Sequence, residues 1–131
     1  MNIVVPVDTS ECSMRALTHA LEIAESMDAT VDIVHFSEFE DEATADLRSM
    51  IDAVLAEFDV DAETEIVGDI HLSDFQVSRR IGENILKLVE KRGYDQIVMG
   101  HHGAGLVDEV ILGSAAKKVV KESNVPVTVV P

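Results

Sequence analysis

Five short apolar runs alternate along the chain with segments whose apolar residues recur at helical spacing, and this alternation constrains the fold most. Strands that alternate with helices form right-handed βαβ units, which build a parallel sheet with helices on both faces. In such sheets, ligands bind beyond the carboxyl ends of the strands. The pattern therefore predicts an α/β fold, with strands at Ile3–Asp8, Val31–Phe36, Thr64–Val67, Ile97–Met99 and Val125–Val130.

The four segments between these runs carry helix signals. Ser10 or Thr9 is a suitable N-cap for the first helix, which is predicted to end near Met27. Apolar residues at helical spacing predict the others. They lie between Leu47 and Phe58, from Ile81 to a stop at Gly93, and in a last helix that ends at Glu122.

The segment Gln96–Val120 combines a buried strand, a glycine-containing loop and the start of a helix. Its spacing is Gly100-x2-Gly103-x9-Gly113-Ser114. Glycine lets the backbone approach an anion closely, and a helix start offers free N–H groups with a favourable dipole. The segment therefore predicts a phosphate site. Asp8 joins this site if the first and fourth strands are neighbours. The alternative role of Asp8 is to cap the helix that follows it.

Composition limits the partners of the chain. Its 131 residues predict a single domain, residues 1–131. The formal charge of −15 is spread along the sequence, which disfavours nucleic acid and anionic membranes as partners. The charge serves either solubility or adaptation to high salt, and we favour a halophilic source. No long apolar run, secretory signal or partner for Cys12 is visible, which predicts a cytoplasmic protein without a membrane span.

Motifs at both ends of the chain resemble those of the universal stress protein family. Val5-Pro6-Val7-Asp8-Thr9-Ser10 is similar to the opening Val-Pro-Val-Asp-Gly-Ser of that family, and the glycine spacing of Gln96–Val120 is similar to its nucleotide-binding signature. Ser123-Asn124-Val125-Pro126-Val127 resembles its approach to the last strand. The resemblance implies a three-layer sandwich with a five-stranded parallel sheet of order 3-2-1-4-5. It also implies a homodimer formed through the last strand, Val125 to Val130.

The resemblance also implies the ligand, which is ATP with Mg²⁺, or else ADP or AMP. Asp8 would contact the ribose or, indirectly, the metal through nucleotide-bound Mg²⁺. The adenine pocket would involve Val7, Val34, His35 and Met99. The ribose and phosphates would be held by Gly100, His102, Gly103, Gly113, Ser114 and Ala115.

Three features depart from the family pattern. Thr9 replaces a glycine, His101 stands where a serine is frequent, and Ala104 replaces a frequent basic residue. With no Lys or Arg in this loop, the phosphates would depend on backbone amides, His102 and a metal ion. The segment Gly68 to Arg80 lacks clear periodicity and is predicted to contain about ten extra residues compared with usual βα loops.

Several other interpretations remain open. His101 and His102 are adjacent and are expected to point apart, which disfavours a shared metal, and no Cys or carboxylate completes a ligand set. His35 is typical of a core histidine, and Cys12 lacks the neighbours of a catalytic thiol. The favoured function is a nucleotide-dependent stress switch or sensor. The alternatives are a nucleotide-independent dimeric interaction protein with a structural glycine loop, and an enzyme that phosphorylates itself at Ser114 or hydrolyses ATP slowly.

Overall fold

The computed structural model describes residues 1–37, 41–67, 77–102 and 112–131. Five parallel strands form one sheet in the order β3-β2-β1-β4-β5. Both the α/β class and the strand order predicted from the sequence are confirmed. The strands are β1 (Asn2–Pro6), β2 (Thr30–Phe36), β3 (Ala62–Val67), β4 (Gln96–Gly100) and β5 (Val127–Val130).

Four helices connect the strands, and their starts are capped in different ways. They are α1 (Glu11–Met27), α2 (Glu42–Leu55), α3 (Val77–Arg92) and α4 (Ser114–Glu122). Ser10 caps α1 by accepting a hydrogen bond from the Ser13 amide, and Asp41 caps α2 through the Thr44 amide. Gly113 precedes α4 without a side-chain cap. The first amides of α4 therefore donate no hydrogen bond to the side chain of an N-cap residue.

The sheet is covered on both faces, because its central strands are apolar on both sides. Leu17 and Leu21 of α1 and Leu47 and Ile51 of α2 pack with Ile33 and its neighbours on one face. On the other face, Val4, Val34, Ile97 and Met99 pack against Ile85 of α3 and Val119 of α4. This arrangement makes the three-layer sandwich. No helix in the described ranges has the length and apolar character needed to cross a lipid bilayer.

The predicted neighbours β1 and β4 do pair, with Ile3 opposite Gln96 and Val4 opposite Ile97. The prediction that the first strand continues to Asp8 was wrong, since β1 ends at Pro6. The Val7 amide still donates to the Val34 carbonyl at 2.8 Å. The Asp8 amide instead turns towards α1 and donates to Ser13 Oγ at 2.9 Å.

Further boundaries also differ from the predictions. Phe58 follows the end of α2 at Leu55, because the chain tightens there and the Phe58 amide donates to the Leu55 carbonyl. Strand β5 begins at Val127 instead of Val125, whose amide is bonded to Ser123 Oγ. Of the predicted insertion, residues 68–76 lie outside the described residues, and Val77–Arg80 already belong to α3.

Candidate functional site

A cavity of about 230 Å³ opens at the carboxyl edge of the sheet, where β1, β2 and β4 end beside the start of α4. This is the position at which parallel sheets bind ligands, because the strand order reverses between β1 and β4. Its lining is mostly apolar. The strand ends contribute Pro6, Val7, Asp8, His35, Phe36, Met99, Gly100 and His102, and the helices contribute Ser13, Ile81, Ile85, Gly113, Ser114, Ala115 and Ala116.

Asp8 is held at the mouth of the cavity by the first turn of α1. One carboxylate oxygen, Oδ1, accepts from the Ser10 amide at 2.8 Å and also from the Ser10 hydroxyl. Ser13 Oγ donates to the Asp8 carbonyl at 2.8 Å. Asp8 therefore organises the helix start and lines the cavity, so the two interpretations from the sequence are compatible.

His35 lies at the end of β2 and is fixed by the backbone of the neighbouring strand. Its Nδ1 is 2.8 Å from the Val7 carbonyl oxygen. Val7 and Met99 also line the cavity, at 6% and 5% exposure, so they present apolar surface there. Val34 is different, because it is 1% exposed within the core that faces α3 and α4 and is not among the lining residues.

Gly100 allows β4 to approach α1 very closely. A Cβ atom at this position would lie 2.7 Å from Cys12 Sγ and 2.9 Å from the Ser13 amide nitrogen, both too short for a van der Waals contact. Only glycine, which has no Cβ, therefore allows β4 to pack this closely on α1. Gly100 has a structural reason to be glycine whether or not a ligand is present.

The start of α4 forms the opposite wall. The Gly113 amide donates to the His101 carbonyl at 2.7 Å, which ties the helix start to the end of β4. Ser114, Ala115 and Ala116 follow and line the cavity. A helix start of this kind favours an anion, because its first amides have no partner within the helix and its dipole is positive there.

The two adjacent histidines do not point apart. The ring centroids of His101 and His102 are 4.2 Å apart, with their planes at 67°. Cys12, remote in sequence, donates its thiol to the His102 carbonyl at 3.1 Å. The sequence-based view that no further ligand stands near the histidines was wrong, since folding of α1 against β4 brings the thiol beside them.

None of the described lining residues is Lys or Arg, so the positive potential that these residues offer an anion comes from the backbone at the start of α4. The resolved pKa shifts fall elsewhere. Burial, followed by the hydrogen bond to Asp32, raises the pKa of Tyr94 to about 12 at the opposite edge of the sheet. The Arg92 guanidinium, which bonds Glu65, lowers the pKa of that carboxyl.

Most residues predicted for the site do come together. Nine of the eleven line the cavity: Val7, Asp8, His35, Met99, Gly100, His102, Gly113, Ser114 and Ala115. Val34 lies in the core beneath the cavity, and Gly103 lies outside the described residues. Six further residues that line the cavity were not predicted for the site: Pro6, Ser13, Phe36, Ile81, Ile85 and Ala116. The spacing of Ile81 and Ile85 on one helix face indicated burial, but not which surface they would cover.

Comparison with known proteins identifies relatives along the full chain. A sequence model described as the universal stress protein family matches residues 1–131. Universal stress protein MJ0531 of Methanocaldococcus jannaschii is 29% identical over 146 residues, which covers 98% of this chain and 80% of the relative.

Solved structures share the fold. A universal stress protein in complex with cAMP is 25% identical, with a TM-score of 0.74 over 100% of this chain and 96% of that one. The universal stress protein from Archaeoglobus fulgidus in complex with dAMP is 21% identical, with a TM-score of 0.72 over 100% of this chain and 98% of that one.

Proposed function

The chain belongs to the universal stress protein family, and from this premise we propose that it binds an adenine nucleotide in the cavity at the carboxyl edge of its sheet. One observation carries the proposal. An apolar cavity opens directly onto the start of α4, where Gly113, Ser114 and Ala115 line the wall. A purine and a phosphate need these two environments side by side.

The dimensions of the cavity support a proposed placement of the parts of the ligand. Its volume of about 230 Å³ is below the roughly 300–1,000 Å³ of pockets that enclose a drug-sized ligand. We therefore place the base and ribose inside, against Val7 and Met99, and the phosphates at the N-terminus of α4. A relative with the same fold was solved with cAMP and another with dAMP, which supports an adenine ligand.

We propose ATP with Mg²⁺ as the ligand, with ADP and AMP as weaker alternatives. No Lys or Arg stands among the described lining residues, so a bare triphosphate would meet little compensating charge. Mg²⁺ neutralises part of that charge, and we propose that Asp8, at the cavity mouth, contacts the ribose or, indirectly, the nucleotide-bound Mg²⁺. The formal charge of −15 also opposes anion binding, and salt screens this repulsion. We therefore propose tighter binding in molar KCl, as in a salt-adapted cytoplasm.

Equilibrium dialysis tests this proposal directly. Protein is dialysed against ATP, ADP or AMP, with Mg²⁺, in 0.1 M and in about 1 M KCl. We expect saturable binding of one nucleotide per chain that is tighter at the higher salt. The variant Ala115→Leu places a larger side chain in the cavity wall and should weaken binding at least tenfold. Val120→Leu on the exposed face of the same helix is the matched control.

The proposal fails if the folded protein binds no adenine nucleotide at either salt concentration. It also fails if Ala115→Leu and Val120→Leu bind nucleotide equally well. Nucleotide released on denaturing freshly purified protein would identify the resident ligand independently of the titrations.

An interaction protein without nucleotide is the second candidate, and one observation favours it. Gly100 is explained by its contact with Cys12 and Ser13 alone, so at least one glycine of the signature has a structural role. If the protein acts without nucleotide, Ala115→Leu would not change the amount of partner protein that it captures in a pull-down. If the protein is a nucleotide-dependent switch, the amount of partner captured should change with nucleotide in the parent protein but not in Ala115→Leu.

We also propose a homodimer through β5, the strand at the edge of the sheet. The carbonyls of Pro126 and Val130 accept hydrogen bonds from the amides of Ile97 in β4 and of His101 just after it. The N–H and C=O groups of Val127 and Val129 therefore point away from β4. An edge of this kind is a template for pairing with a second chain. Val129→Pro removes one N–H group that points away from β4 and would bond a second chain. Sedimentation equilibrium of this variant should then report monomers. A dimer that persists in this variant would exclude pairing through this edge.

A further inference from the structure

Cys12, His101 and His102 form a compact group of metal-binding side chains. The thiol sulphur and a ring nitrogen from each histidine lie within 4.8 Å of one another. Cys12 comes from the first turn of α1, and the histidines follow directly after β4. The group therefore exists only because α1 packs on the end of β4, where Gly100 permits the close approach.

One polar atom of this group lacks a partner. His101 Nδ1 is buried, and no hydrogen bond to it is found in the described part of the chain. A buried polar atom without a partner carries a desolvation cost of about 1–3 kcal/mol. Such an atom calls for an explanation, and an ion is one of the recognised ones.

We propose that Cys12, His101 and His102 bind a thiophilic transition-metal ion, with Zn²⁺ as the ion that fits the ligand set best. Sulphur and imidazole nitrogen are preferred ligands of Zn²⁺, whereas Mg²⁺ prefers oxygen. The site is therefore chemically distinct from the Mg²⁺ that accompanies a nucleotide. Three protein ligands leave a fourth tetrahedral position for water, which is the arrangement of an open zinc site.

The geometry requires only a small contraction. Zinc bonds of about 2.0–2.3 Å place tetrahedral ligand atoms about 3.5 Å apart, and the present atoms are separated by at most 4.8 Å. His101 and His102 are half-buried, which gives an ion a path to the fully buried Cys12. As the Zn–S bond forms, the thiol proton leaves to solvent and its hydrogen bond to the His102 carbonyl is given up.

The site borders the cavity, because His102 contributes to both. Metal binding would therefore influence a ligand in the cavity, and the ligand would influence the metal to the same extent. The metal proposal does not depend on the nucleotide proposal. Its test is performed without nucleotide, so either can fail while the other stands.

Cobalt provides the probe, because Co²⁺ takes the same ligands as Zn²⁺ and absorbs light. Metal-free, reduced protein is titrated with CoCl₂, and then Zn²⁺ is added to displace the cobalt. We expect one Co²⁺ per chain, a thiolate-to-cobalt charge-transfer band, and displacement by Zn²⁺, which binds more tightly. Excess Mg²⁺ should leave the spectrum unchanged.

Variants locate the site. Cys12→Ser should remove the charge-transfer band. His101→Ala should weaken Zn²⁺ binding by more than about 100-fold, beyond the 10–100-fold typical of losing only a supporting hydrogen bond. His19→Ala, at a histidine of α1 outside the group, is the control and should bind normally.

The proposal is overturned if the charge-transfer band never forms in the parent protein. It is equally overturned if His101→Ala binds Zn²⁺ as tightly as the parent. Circular dichroism of each variant verifies the fold. Should the buried Cys12 variant not fold, His101→Ala, just after β4, still decides the result.

Discussion

The amino edge of the sheet, where its strands begin, differs from the carboxyl edge, where its strands end, in how the polar groups are hydrogen-bonded. At the amino edge, the Asn2 amide donates to Asp95 Oδ2 at 2.8 Å, and the Asp95 amide donates to the Asn2 carbonyl at 2.9 Å. Thr30 Oγ1 donates to Asn2 Oδ1, and Tyr94 donates to Asp32, each at 2.5 Å. These side chains satisfy one another.

At the carboxyl edge, polar groups surround a cavity instead. Asp8 uses Oδ1 for the start of α1, while the N-cap of α4 offers no side chain to its amides. His101 Nδ1 is buried without a described partner. The comparison indicates that the polar side chains of the amino edge are used for stability, whereas some polar groups of the carboxyl edge are left for interaction. Substitutions at the amino edge should therefore change stability without changing binding, whereas a substitution that disturbs the carboxyl edge should change both.

The largest effect is expected at Gly100 on the carboxyl edge. Gly100→Ala would place Cβ against Cys12 and the Ser13 amide, and overpacking of this kind costs about 2–3 kcal/mol. Nucleotide and metal binding should fall with it. Urea unfolding measures the stability change, and dialysis measures the binding.

Gly93→Ala on the amino edge is the matched comparison. Gly93 has φ of +71° with open space around it, so only backbone strain applies, about 1 kcal/mol. Binding should be unchanged. Equal losses of stability in the two alanine variants would contradict the close contact of β4 with α1.

A smaller effect is expected from Tyr94→Phe. Removing the hydroxyl deprives Asp32 of a donor and should cost about 1.5 kcal/mol at neutral pH. The pKa of Tyr94 is raised from 10.0 to about 12 in the folded protein, mainly by burial. The folded state therefore holds this proton more tightly than the unfolded state does. The resulting stabilisation is present below pH 10 and is lost as the pH rises towards 12.

Urea midpoints of the parent and Tyr94→Phe at pH 8, 10 and 11 provide the measurement. The difference between the two proteins should narrow as the pH rises. Parallel curves would show that the Tyr94 proton is not linked to folding. Nucleotide binding at neutral pH should be the same in both proteins, because Tyr94 lies at the edge away from the cavity.

The smallest effect is expected from Thr30→Val, which keeps a β-branched side chain in β2. It removes one exposed hydrogen bond to Asn2, for which we expect about 0.5 kcal/mol. Thermal unfolding should show a shift of a few degrees at most, with binding unchanged. A loss of nucleotide affinity in this variant would break the separation between the two edges.

Much of the site could be predicted from the sequence because it depends on local patterns. Gly100, Gly113 and Ser114 are placed by a strand, a loop and a helix that follow one another in the chain, and Asp8 follows the first strand. Parallel strands bring their carboxyl ends to one edge, so these residues had to converge once β1 and β4 were neighbours.

The position of Val34 could not be predicted in this way. Residues alternate between the two faces of a strand, and the sequence did not indicate that Val34 would be covered by α3 and α4 while His35 reached the cavity. Phe36 and Ile85 were missed for the same reason, since their burial was evident but not their neighbours.

The sequence by itself determined the alternation of strands and helices, and with it the α/β class and the edge of the sheet that holds the cavity. Hydrophobic periodicity and glycine spacing carry this information within short segments. Only the tertiary structure decided that Cys12 meets His101 and His102. The contact joins residues about ninety positions apart, and it depends on how closely one helix packs against one strand end, which no local pattern specifies.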